Sequence, residues 1–213
     1  MSNPVKYTRR IGDGQLPPTL ATLAEPTDDG GIMRRISTGG DRADRAKRTR
    51  LDEAAVCGLY CPSCSVFLAS AEDPAWLARL AERNGVSPEE ERCRGCRSEE
   101  RSYHCEACTM AACAASKGIA FCSDCEAFPC AEVVAWQAVM PHRVEVFDWL
   151  RQVRVHGVDP WACERRADFT CPVCGTVNSA YNLRCRRCGS SPSCRFVERH
   201  AAALLEFIGR AAG

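Results

Sequence analysis

The chain has 213 residues, 17 cysteines and a formal net charge of +1, a length that holds one domain or two small ones. The neutrality is only formal: each four-thiolate site around a divalent ion carries roughly −2, so about four such sites would make the folded protein acidic. Leu, Ile, Val and Phe together number 39, under a fifth of the chain. That is low for a self-sufficient apolar core. Metal ligation then has to supply the missing folding free energy, on the order of 10 kcal/mol per structural zinc site. No run approaches about 18 apolar residues, which excludes a transmembrane helix. No apolar signal region opens the chain, so a reducing cytoplasm is the expected compartment.

Residues 1 to about 52 are rich in Gly, Pro, Thr, Asp and Arg without sustained periodicity. A disordered extension over 1–53 is expected, with a basic tail for an acidic partner as its alternative. A Cys-rich multi-metal domain follows over 54–140. Within it a short helix carries Val66, Phe67 and Leu68. A second helix opens with Asp73 as N-cap and Pro74 in the first turn and ends at Asn84-Gly85. Its Trp76, Leu77, Leu80 and Ala81 share one face, a core face by spacing. A helical connector is expected over 141–167. One helix from about His142 to His156 would carry Val144, Phe147, Leu150 and Val153 on a stripe, with Gly157 as its C-cap. Asp159-Pro160 then reads as a cap-plus-proline start. A ribbon over 168–192 precedes a last helix within 193–213, expected to bury Phe196, Val197, Leu204, Leu205 and Ile208.

Six C-x-x-C pairs dominate the chemistry: Cys61/Cys64, Cys93/Cys96, Cys105/Cys108, Cys122/Cys125, Cys171/Cys174 and Cys185/Cys188. Two thiolates on one tight turn can grip the same ion, a spacing that marks tetrahedral metal knuckles rather than a disulfide framework. Cys105–Cys108–Cys113 and Cys122–Cys125–Cys130 are two copies of C-x2-C-x4-C offset by 17 residues, joined through Lys117-Gly118-Ile119. Eleven cysteines from Cys57 to Cys130 plus His104 make twelve ligands, enough for three four-coordinate sites. Should His104 not ligate, one site keeps an open position, the arrangement of catalytic zinc. Cys57-x3-Cys61-x2-Cys64 has the spacing that radical S-adenosylmethionine enzymes use, but the strand–helix alternation of their barrel is missing here. Cys163 and Cys194 read by default as lone buried thiols. No other catalytic motif is present.

The downstream pairs, Cys171-Pro-Val-Cys174 and Cys185-Arg-Arg-Cys188-Gly189, stand ten residues apart. The spacing predicts a β-hairpin carrying a closed four-cysteine zinc site. With Phe169 and Asn178 this stretch resembles a Ran-binding-protein-type zinc finger. Such fingers bind ubiquitin or single-stranded RNA, but Gly175-Thr176 stands where the ubiquitin-contacting Thr-Phe is expected, and the ligand preference does not carry over to this chain. Arg184, Arg186 and Arg187 flank the site, and Arg92, Arg94 and Arg97 flank an upstream knuckle. They serve either as charge compensation or as a nucleic-acid face.

Cys57-Gly-Leu-Tyr-Cys61-Pro-Ser-Cys64, Cys93-Arg-Gly-Cys96-Arg97, the repeated clusters, Lys117-Gly118-Ile119 and Phe128-Pro129-Cys130 are similar to the domain of unknown function 3795 family. The resemblance implies zinc binding without an assigned activity. The expected fold is therefore a small α-rich metal-stabilised domain of short helices and knuckle loops, then a helix and a β-hairpin zinc ribbon. The expected function is a cytoplasmic zinc-binding adaptor holding about four ions, not an enzyme. Its partner is a protein or a nucleic acid, with no membrane and no identifiable small-molecule substrate. Two alternatives stand beside it: an iron–sulfur redox protein using the upstream thiols, and a metal-dependent enzyme with an open site near Cys57–Cys64.

Overall fold

The computed structural model describes residues 49–212. Asp73 organises the first helix pair, α1 (Ser65–Glu72) and α2 (Pro74–Asn84). Its carboxylate accepts from the backbone N–H of Ala75 at 2.9 Å and Trp76 at 3.0 Å. Pro74 sits in the first turn, where its missing N–H costs nothing. Gly85 closes α2 at φ 65°, the left-handed cap that a side chain would oppose. Trp76, Leu77, Leu80 and Ala81 are buried as the spacing predicts. The first three form a small core with Leu68 and Ala69 of α1.

The knuckle region follows in short pieces: α3 (Pro88–Glu91), α4 (Tyr103–Glu106), α5 (Thr109–Lys117) and α6 (Ala131–Ala138). Two knuckles, Cys61–Ser63 and Cys122–Asp124, are themselves single 3-10 turns. The two copies of C-x2-C-x4-C do not fold alike. Cys105 lies in α4 and Cys113 in α5, whereas Cys122 starts a 3-10 turn and Cys130 caps α6.

The main core is built from α7 (Val146–His156), α8 (Val158–Phe169) and α9 (Arg195–Ala212). Helix α7 starts at Val146, after a 3-10 turn at Pro141–Arg143, and not at His142. Its buried face is accordingly Val146, Trp149, Leu150 and Val153, and Val144 is left exposed. Helix α8 begins at Val158 with Gly157 as cap, so Asp159-Pro160 lies inside its first turn. In α9 Phe196, Val197 and Leu204 are buried, whereas Leu205 is exposed. Phe169 stacks on Phe196 with centroids 4.8 Å apart. The core reaches back to Ala54, Tyr60 and Phe121 of the knuckle region, so one apolar interior spans both ends of the described chain. Arg165, 5% exposed, seals its edge, 3.1 Å from Asp168 and 3.6 Å from Glu145.

The expected β-hairpin ribbon is not formed. Among the described residues there is no strand or sheet, and Thr170–Val177 makes one isolated antiparallel bridge. The physical reason is that strand pairing stops at that one bridge, Cys171 N–H to Thr176 O and Asn178 N–H to Phe169 O. After it side chains take over: Arg186 donates to Val177 O, and Asn182 accepts from the Ser179 N–H. The extension expected over 1–53 lies, up to residue 48, outside the described residues. Its end, Arg50–Glu53, is a 3-10 turn against α8.

Candidate metal centre

Cys171, Cys174, Cys185 and Cys188 bring their four sulfurs within 4.8 Å of one another. Cys171 Sγ stands 3.7 Å from Cys188 Sγ, and Cys174 Sγ 3.6 Å from Cys185 Sγ. Four thiolates each about 2.3 Å from one ion stand about 3.8 Å apart as edges of a tetrahedron. The donor set therefore fits a single tetrahedral ion with little movement. Cys171 and Cys185 are buried, Cys174 is half-buried and Cys188 is exposed.

Two copies of one knuckle create this geometry. Cys171 N–H donates to Thr176 O at 2.8 Å, and Cys185 N–H donates to Ser190 O at 2.8 Å. Gly175 N–H returns to Cys171 O at 3.0 Å, and Gly189 N–H to Cys185 O at 2.9 Å. Both glycines have positive φ, 74° and 72°, which is what lets each turn close directly behind its second cysteine. The hydroxyls that follow come next to sulfur: Thr176 Oγ1 lies 3.3 Å from Cys174 Sγ. Ser190 Oγ lies 3.2 Å from both Cys171 and Cys188 Sγ. The hydrogen bond with Ser190 pulls the Cys171 thiol down to about 6, and that with Thr176 lowers Cys174. Both favour the thiolate that a metal requires.

Asn178 locks the copies together. It is fully buried, and its amide nitrogen donates to Thr176 O at 3.1 Å and Ser193 O at 3.3 Å. Its Oδ1 accepts from Arg186 N–H at 3.0 Å. Arg186 in turn donates to Val177 O at 2.8 Å and pairs with Glu72 of α1 at 2.7 Å, fastening the centre to the first helix pair. The residues that sequence reasoning missed are Thr176 and Ser190. Their signal was a second repeat, Cys-x-x-Cys-Gly-Thr and Cys-x-x-Cys-Gly-Ser, offset by 14 residues.

Upstream, the thiols are neighbours without that convergence. Among the described residues no other set of three ligand atoms lies mutually within 4.8 Å. Cys57 and Cys61 are buried in a core against which Cys96, Cys108 and Cys122 pack. Cys61 lies within electrostatic reach of Cys96, Cys93 and Cys64, and Cys105 within reach of Cys93, Cys64 and Cys96. Cys57 reaches Cys96, Cys108 and Cys122. Cys122 reaches Cys130, Cys108, Cys113 and Cys125. Burial pushes the Cys57, Cys61 and Cys105 thiols up, Cys64 to about 11 and Cys122 to about 12. A divalent cation among them inverts that preference. His104 is exposed, and its ring packs on Tyr103 with centroids 3.8 Å apart. Cys194 is buried as a lone thiol should be, whereas Cys163 is exposed.

A family model described as "Protein of unknown function (DUF3795)" matches residues 53–135. It spans the cysteines from Cys57 to Cys130 that carry the resemblance, and it ends before α7. The convergent centre thus lies outside the DUF3795 segment. The likeness of residues 169–188 to a Ran-binding-protein-type finger gains no support from the match. No curated protein and no solved structure matches the chain.

Within the DUF3795 segment the arginines serve the fold. Arg94 pairs with Glu100 at 2.7 Å, and Arg92 lies 3.7 Å from the same carboxylate. Arg97 donates to Ala54 O and Ala120 O and lies over the Phe121 ring. These contacts bind the knuckle at Cys93–Cys96 to the start of the domain. No helix among the described residues is long and apolar enough to cross a membrane.

Proposed function

We propose that the chain is a zinc-stabilised helical scaffold that acts as a cytoplasmic binding or adaptor module. One observation carries the reading: four sulfurs converge within 4.8 Å of one another, two of the pairs at the edge length of a tetrahedral ion. Four protein thiolates fill a zinc ion's coordination, so the centre has no position left for substrate and works by holding structure. The eleven upstream thiols are the remaining ligands, bringing the total to about four ions. An iron–sulfur cluster spreads its thiolates over several irons and suits the compact centre poorly.

The partner is a protein or a nucleic acid. Arg186 and Arg97 are held in internal contacts, which shifts the arginines toward a structural role. Arg184 and Arg187, both exposed and adjoining the Cys185–Cys188 knuckle in sequence, form the face that remains for a partner.

Anaerobic purification with metal analysis and an absorption spectrum tests the reading. About four zinc ions and no visible absorption are expected. A brown protein absorbing near 400 nm, with iron and sulfide, replaces the scaffold by a redox protein. Loss of the thermal transition on chelation is the second expected result. A cooperative transition that survives full chelation refutes metal-dependent folding.

A further inference from the structure

We propose that the ion of the C-terminal centre is the clasp of the α1–α2 pair, so that its loss frees the pair from the main core. The proposal rests on the reading above that the four downstream cysteines hold one ion. The upstream thiols play no part in it.

The apolar interior supplies the first observation. Leu68, Ala69, Trp76, Leu77 and Leu80 form a core of their own between α1 and α2, apart from the interior shared by α7, α8 and α9. Among the described residues Val177 alone packs against both. It directly follows Thr176, so the joint between the two interiors lies between the two knuckles. Cores joined through a single side chain can part there, as separate cooperative units do.

Polar contacts lead to the same place. Arg186, in the second knuckle, spans the joint: its Nε donates to Val177 O at 2.8 Å, and its guanidinium pairs with Glu72, the last residue of α1, at 2.7 Å. The pair has a second attachment, to the family segment. Ser70 Oγ accepts from Cys93 N–H at 2.9 Å, and Asn84 donates to the fully buried Glu91 at 3.0 Å. Opening the clasp therefore leaves α1 and α2 tethered at the Cys93 knuckle.

Geometry makes the clasp depend on the ion. Val177 leaves the first knuckle and Arg186 belongs to the second, so the two meet only while the knuckles keep their register. Besides Asn178, what joins the knuckles is the sulfur cluster, Cys171 facing Cys188 and Cys174 facing Cys185. Four thiolates without an ion repel one another, whereas a divalent ion draws them to one point and fixes the register. Ion binding and the docking of α1–α2 are thereby coupled. The coupling is reciprocal: whatever factor the ion adds to docking, docking adds to the ion's affinity.

The test is hydrogen exchange read by mass spectrometry on the full-length zinc-loaded protein, with metal content measured alongside. Cys174→Ser/Cys188→Ser removes one ligand from each knuckle. Its ion count is expected to fall by one and its amides over 66–84 to exchange about tenfold faster, while those of α5 and α6 keep their rates. Val177→Ala removes no ligand and keeps the ion count. It is expected to lose zinc to a chelator about threefold faster, in the release phase that the double variant lacks. Parent exchange rates over 66–84 after loss of the ion overturn the clasp and leave the metal reading intact. Equal acceleration along the whole chain also overturns it, because the ion then supports the entire fold. Zinc release from Val177→Ala at the parent rate overturns the coupling even where the double variant fails to fold. An ion count unchanged in the double variant overturns the clasp and the metal reading together.

Discussion

Replacing Gly58 by alanine tests whether the knuckle region and the C-terminal helices are one interior. Gly58 sits between Cys57 and Cys61 at φ 86°. A β-carbon there meets Leu150 Cγ at 2.7 Å, Leu150 Cδ2 at 3.1 Å and Val146 O at 3.3 Å. The first distance is about 1 Å inside the 3.5–4.0 Å optimum for carbon contacts. Leu150 is fully buried within α7, so relief requires repacking. Such overpacking costs about 1–3 kcal/mol, and the left-handed backbone adds roughly 1–2 kcal/mol for a residue with a β-carbon. The expected loss is therefore about 2–5 kcal/mol, a fall in Tm of roughly 5–20 °C for a chain of this size. Thermal unfolding of zinc-loaded Gly58→Ala against the parent measures it. Leu150→Ala removes the Cγ and Cδ2 that the new carbon meets, so the double variant should cost at least about 1 kcal/mol less than the sum of the singles. A Gly58→Ala protein within about 0.5 kcal/mol of the parent, or strict additivity with Leu150→Ala, would refute the packing argument.

Asn178→Ala leaves Ser193 O and the Arg186 N–H unpaired, while Thr176 O keeps the Cys171 N–H. Unpaired buried groups of this kind cost about 1–3 kcal/mol each. A clear loss of stability is expected, with faster zinc release to a chromogenic chelator; release at the parent rate counts against the locking role. His142 gives the pH dependence. Burial holds its imidazole down to about 3, and its Nδ1 lies 2.7 Å from the Tyr181 hydroxyl. The folded imidazole stays neutral where an unfolded histidine takes up a proton, below about 6.5. The stability it contributes is therefore complete above about 6.5 and is lost progressively as pH falls toward 3, by at most about 1.4 kcal/mol per pH unit. Denaturant unfolding between pH 7 and 5.5 should fall more steeply for the parent than for His142→Gln. Parallel slopes would remove His142 as the cause.

Local signals were legible in the sequence wherever one residue decides the local backbone. Asp73 with Pro74, and Gly85 and Gly118 at their positive φ, set helix ends without help from distant residues. The start of α7 escaped because it is decided elsewhere: residues 141–143 form a 3-10 turn that carries Arg143 to Trp136 O and His142 to Tyr181. That shifts the buried stripe and brings Trp149 inward. The four-cysteine centre was legible as a ligand set but not as a fold. Two knuckles separated by ten residues suit a hairpin equally well, and the outcome is decided by Arg186 and Asn182, whose side chains satisfy Val177 O and the Ser179 N–H just beyond the single bridge. The upstream thiols show the opposite limit. Their spacing names candidate ligands, but the knuckles mix in space: Cys57 and Cys61 share one apolar cluster with Cys96, Cys108 and Cys122. A C-x-x-C pair constrains where two sulfurs start. Which other thiols each one meets is set by the packing of α5, α6 and the 3-10 turns around Met110 and Val133, contacts between residues far apart in sequence.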